Sequence, residues 1–227
     1  MPLTLCTDLS PADWLVASTL PWERLVTFGP AGFKAYARLR FLPDPAYEGQ
    51  SETDTYTEGG PSEAARLRTL LDLLAAHTTT PDDCYCCLWD GWGELYGRHT
   101  PLPDLVISTD EPPEGVRPAG WAPAPTLPAR PDEPKLVVPN RAYYLFHGRL
   151  SEAGDWGAAN PWLSSGPVHM PEPAFVWPAD HAWCVVKDVD PHWAGIGAEG
   201  LVIDQLVADP RLDVVRARPD EEQPAYR

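Results

Sequence analysis

Three cysteines stand within four positions, Cys84, Cys86 and Cys87, and a fourth, Cys184, lies three residues from His181. Thiolates with an imidazole form the ligand set of a structural zinc site. A thiol near an imidazole and the acids Asp180, Asp188 and Asp190 is also the raw material of a cysteine nucleophile. The run Cys-Tyr-Cys-Cys-Leu-Trp reads as a strand, however, and strand alternation sends Cys84 and Cys86 to one face and Cys87 to the other, so one ion does not collect all three. Residues 181 and 184 likewise fall on opposite faces, and the apolar neighbours of Cys184 raise a thiol's pKa. Both patterns read as packed core thiols, so no metal ligand, no catalytic residue and no cofactor is expected.

Gly195-Ile196-Gly197-Ala198-Glu199-Gly200 is the one glycine-rich stretch that leads into a helical pattern. The preceding Pro191-His192-Trp193 is read as a loop, not as the strand a nucleotide-binding turn requires, and helix capping explains the stretch. The ten tryptophans are more informative. Trp89 and Trp183 fall inside strand-like runs and are assigned to the core. Trp92, Trp121 and Trp193 fall in loops and are candidates for a binding surface. With His192 and the acids Asp188 and Asp190 they make up the candidate ligand- or partner-binding set.

The chain has 227 residues, with 33 acidic and 17 basic side chains and a formal net charge of -16. Such a field repels phosphate backbones and anionic lipid, which excludes nucleic acid and membrane as expected partners, and it favours a basic protein. The first residues show no basic stretch followed by an apolar run, and no segment has the length of a membrane span. Five cysteines without a disulfide spacing point to reduced thiols and a cytoplasmic location.

The elements that must position these residues are a helix from Ser10 to about Ala17, strands at Arg24 to Phe28 and Tyr36 to Leu42, and a strong amphipathic helix from Ser62 to about His77. Further strands are expected at Cys84 to Trp89, Leu136 to Val138, Arg141 to Gly148, Ala174 to Trp177, Ala182 to Val186 and Leu212 to Val215, with helices at Ser151 to Trp156 and Glu199 to Val207. Residues 43–62 and the proline-rich 101–134 read as irregular loops, and 217–227 as a tail. The order lacks a βαβ rhythm. It predicts one α+β domain over 1–227, with a mixed or mainly antiparallel sheet and helices packed to one side.

The stretches LVTFGP, YARLRFLPDP, PDDCYCCLWDGWG, VPNRAYYLFHG and the segment from Phe175 to Val215 resemble a family of uncharacterised actinobacterial proteins over nearly the whole chain. The final quarter, with a strand, a glycine-bearing loop, the helix around Gly200 to Val207 and the Asp-Pro-Arg-Leu entry to a last strand, is similar to the SUKH superfamily, whose bacterial members often act as immunity proteins against secreted toxins. With the net charge of -16 and the lack of a catalytic constellation, the resemblance leads to the expectation of a non-enzymatic protein-binding factor of immunity type that uses an acidic surface and loop tryptophans to hold a toxin-like basic partner. The alternative expectation is a small-molecule-binding protein or enzyme with a pocket near Trp92 and His192-Trp193.

Overall fold

The computed structural model describes residues 2–55, 60–92, 133–156 and 171–227. Its centre is a nine-stranded antiparallel sheet. The strands are β1 (Thr4–Leu5), β2 (Ala35–Arg40), β3 (Cys84–Trp89), β4 (Leu136–Val138), β5 (Arg141–Gly148), β6 (Phe175–Pro178), β7 (Trp183–Val186), β8 (Trp193–Ala198) and β9 (Val214–Ala217). They lie in the order β1-β5-β3-β6-β7-β8-β2-β9, with β4 paired to β5. The α+β class and the antiparallel sheet follow directly.

Alternation builds two cores. Cys84, Cys86, Leu88, Tyr144, Phe146, Trp183, Val185 and Ile196 face one side, where α3 (Glu63–Leu74) and α4 (Gly200–Ala208) pack. Cys87, Leu145, Phe175, Trp177, Cys184 and Val186 face the other, where α1 (Asp13–Val16) and α2 (Trp22–Phe28) pack. A 12-residue helix such as α3 is marginal in water by itself. Its buried Leu67, Leu70, Leu71 and Leu74 each add roughly 2 kcal/mol, and the Ser62 hydroxyl accepts the Ala65 amide at its start. The indole of Trp183 closes the other end by donating to the Leu74 carbonyl at 3.0 Å.

Three expectations change. Arg24 to Phe28 is not a strand but α2, because Trp22, Leu25 and Val26 follow helical spacing between Pro21 and a left-handed Gly29 (φ 79°). Helices therefore cover both faces: the two long ones share one side, as expected, and the two short ones occupy the other. Ser151 to Trp156 is no helix but a single 3-10 turn at Leu150–Glu152, after which the Trp156 indole is buried and bonded to the Pro171 carbonyl at 2.7 Å.

The third change is β8. Pro191-His192-Trp193 leads not into a loop but into a strand, fully buried on both faces. Ala194, Ile196 and Ala198 enter the α3/α4 core, while the other face is cleared by glycine. A Cβ on Gly195 would lie 1.9 Å from the Thr27 carbonyl oxygen, and one on Gly197 would lie 2.4 Å from the Phe33 ring. These glycines exist so that α2 and the chain after it can sit directly on the sheet. The proline-rich loop expected at 101–134 lies, up to residue 132, outside the described residues.

Candidate functional site

Cys84, Cys86, Cys87 and Cys184 are all buried. Burial pushes the Cys84 thiol up to about 12, with the carboxylates of Asp83 and Asp180 adding to the rise. Burial drives Cys86, Cys87 and Cys184 further in the same direction. Among the described residues no group of three or more His, Cys, Asp or Glu side chains is arranged to hold a metal ion.

What the fold does assemble is a cleft where the end of β3 meets the connection from β7 to β8. Trp89 and Trp92 form one wall, with ring centroids 5.9 Å apart at 74°, and the opposite wall is the run Lys187 to His192. The cleft has a volume of about 240 Å³. Among the described residues five carboxylates line it, Glu52, Glu63, Glu172, Asp188 and Asp190, and one ammonium, that of Lys187. Lys187 is paired with Glu63 at 3.2 Å and lies over the Phe41 ring at 5.1 Å.

Asp188 and Asp190 differ in role. Asp188 accepts two hydrogen bonds from Arg141, at 3.3 and 3.1 Å, and that guanidinium lies over the rings of both Trp22 (5.4 Å) and Trp89 (5.2 Å). This fork-on-carboxylate geometry holds Trp89 in the wall of the cleft. Asp190 reaches the same guanidinium only at 3.8 Å, and its side chain is 85% exposed at the mouth.

His192 borders the cleft from below, its side chain only 2% exposed. Its Nε2 lies 3.3 Å from Asp44 Oδ1. An ionised carboxylate only accepts, so Nε2 carries the proton. Burial lowers the His192 pKa despite that carboxylate. Burial alone would raise Asp44, but Arg38, donating at 2.6 and 3.0 Å, with His192 and Arg40, offsets it and holds the carboxyl at about 2. Arg38 and Arg40, two positions apart on β2, thus converge on a single acid.

Of the candidate set, Trp92, Asp188, Asp190 and His192 come together in this cleft. Trp193 does not belong to its surface: it is 5% exposed in β8, tilted against Phe28 at 5.0 Å and covered by the Arg38 guanidinium at 5.5 Å. Loop assignment misplaced it, because the flanking glycines concealed the strand. Trp121 lies outside the described residues. Trp89, assigned to the core, is half-buried and lines the cleft. Missing from the sequence reading were Glu52, Glu63, Glu172 and Lys187, which come from four separate segments and share no spacing.

No protein-family profile matches the chain. No curated protein and no solved structure matches it at a significant level either.

Proposed function

We propose that the chain is a non-enzymatic binding protein whose acidic, tryptophan-walled cleft receives a basic segment of a partner protein. The observation that carries this reading is the composition of the cleft: among the described residues five carboxylates line it with Trp89 and Trp92, and the neighbouring cations Lys187 and Arg141 are each paired with one of these, Glu63 and Asp188, which leaves acid in excess. A guanidinium or ammonium entering this space gains charge attraction from several sides and an aromatic face to lie on. The net charge of -16 extends the same attraction to long range and favours rapid encounter with a cationic surface. High thiol pKa values in the buried cysteines support binding over nucleophilic chemistry. An immunity-type role against a basic toxin domain, as the SUKH-like ending suggests, is the biological setting that suits such a surface. No helix among the described residues is long and apolar enough to cross a membrane.

The test is calorimetric titration with an octa-arginine peptide and, as control, an octa-glutamate peptide, each at low and at high salt. Saturable binding of the arginine peptide that weakens with salt supports the proposal. Absence of binding at low salt contradicts it.

A further inference from the structure

We infer that the segment Gln223–Arg227, which forms one wall of a groove continuous with the cleft, is an intramolecular stand-in for the basic partner, and that the partner must displace it. The inference rests on the cleft being a site for a basic segment.

The groove lies between this segment on one side and Ser51 to Thr53 with Val189 to Trp193 on the other, and has a volume of about 610 Å³. Glu52, Asp190, Pro191 and His192 line both this groove and the cleft, so an occupant of one meets the wall of the other. The segment is held at few points. Tyr226 Oη donates to the Pro43 carbonyl at 2.6 Å, the Tyr226 ring meets the His192 ring edge-on at 4.7 Å, and the Arg227 amide donates to the Gln50 carbonyl at 3.0 Å. The receiving side is built in advance: the Gln50 side chain accepts the Ala46 amide at 2.6 Å and donates to Thr55 at 2.8 Å.

Gln223 Nε2 also donates to the Arg218 and Glu221 carbonyls at 2.9 and 3.0 Å; among the described residues the segment joins no strand, and Pro224, Ala225 and Arg227 are exposed. Such docking is reversible, yet an attached segment competes at an effective concentration on the order of millimolar. Its chemistry is that expected of the partner: an aromatic ring for the His192 and Pro43 shelf, followed by an arginine that lines the same groove as Glu52 and Asp190. The partner class this defines is a basic segment in which an aromatic residue adjoins arginine.

The experiment titrates a synthetic peptide of four Tyr-Arg repeats into the intact chain and into Tyr226→Ala and Tyr226→Phe. Releasing the tail is expected to tighten binding roughly three- to tenfold in Tyr226→Ala, with Tyr226→Phe, which keeps the ring and loses the hydrogen bond, in between. Equal or weaker binding by Tyr226→Ala, with wild type binding the peptide, overturns the tail's role and leaves the cleft's standing. A peptide bound by none of the three overturns both. If Tyr226→Ala lowers the folded fraction seen by circular dichroism, Tyr226→Phe decides by the same criterion.

Discussion

The Arg38 guanidinium meets the Asp44 carboxylate at 2.6 and 3.0 Å, and the arginine side chain, which lies over the Trp193 ring, is only 7% exposed. Removing the acid strands a buried cation, which costs far more than an ion pair at the surface. Asp44→Ala is expected to destabilise the protein by about 3 kcal/mol. Chemical denaturation of the variant against wild type reads this, and a change below about 1 kcal/mol would show that water reaches Arg38 freely.

The pH dependence follows from the same cluster. Burial sets the folded pKa of His192 below its ordinary value, so the unfolded chain takes up a proton near pH 6.5 that the folded chain refuses. Its contribution to stability is complete above about pH 6.5 and is lost as pH falls below it; His181, also lowered by burial, acts in the same direction. Asp44 acts at lower pH, its contribution present above its unfolded value and lost as pH falls toward about 2. The facing groups are Asp44, Arg38, Glu52 and Tyr226. Melting curves between about pH 8 and 5 are expected to drop less steeply for His192→Gln than for wild type. Parallel slopes would mean that His192 titrates normally.

Gly195→Ala tests the contact of α2 with β8. The added methyl meets the backbone oxygen of Thr27, which cannot rotate away, so the cost is expected to be about 3 kcal/mol, or about 6–12 °C in Tm. Gly154→Ala, at an open position with φ 87°, is strained for a different reason and leaves α2 in place. Near-ultraviolet circular dichroism distinguishes them, because only Gly195→Ala disturbs Trp193 and Phe28.

Thiol labelling checks the chemistry assigned to the cysteines. Cys84, Cys86, Cys87 and Cys184 are fully buried, and only Cys6 is half-buried, its thiol raised to about 11 by burial and by Asp8. Iodoacetamide on the native protein at neutral pH is expected to modify at most Cys6, and all five cysteines after denaturation. Fast native labelling of Cys184 would reopen nucleophilic chemistry at that residue.

Much of the fold could be read from residue order. The strand of Cys84 to Trp89 has its expected bounds, and its alternation sorts the cysteines between the two cores. The leucine stripe of α3 was equally plain. Failures came where local preference and tertiary context diverge. Val26, Thr27 and Phe28 favour strand by type, yet packing on the glycine face of β8 rewards a helix there. In β8 itself, Gly195 and Gly197 weaken every strand signal, and their purpose is visible only once α2 lies above them. The cleft was half legible. Trp92, Asp188, Asp190 and His192 flank obvious turns, whereas Glu52, Glu63 and Glu172 are ordinary acids that only the folded chain brings to one cleft.

Binding of octa-arginine to charge-reversed variants tests the central claim most directly. Glu52→Lys with Asp190→Lys reverses two cleft carboxylates, and Glu23→Lys with Asp72→Lys changes net charge equally on exposed residues that do not line the cleft. If the cleft is the site, calorimetry is expected to give a loss of about tenfold or more for the first pair and only a small change for the second. Equal losses in both pairs would contradict a localised site and leave only diffuse attraction to an acidic surface.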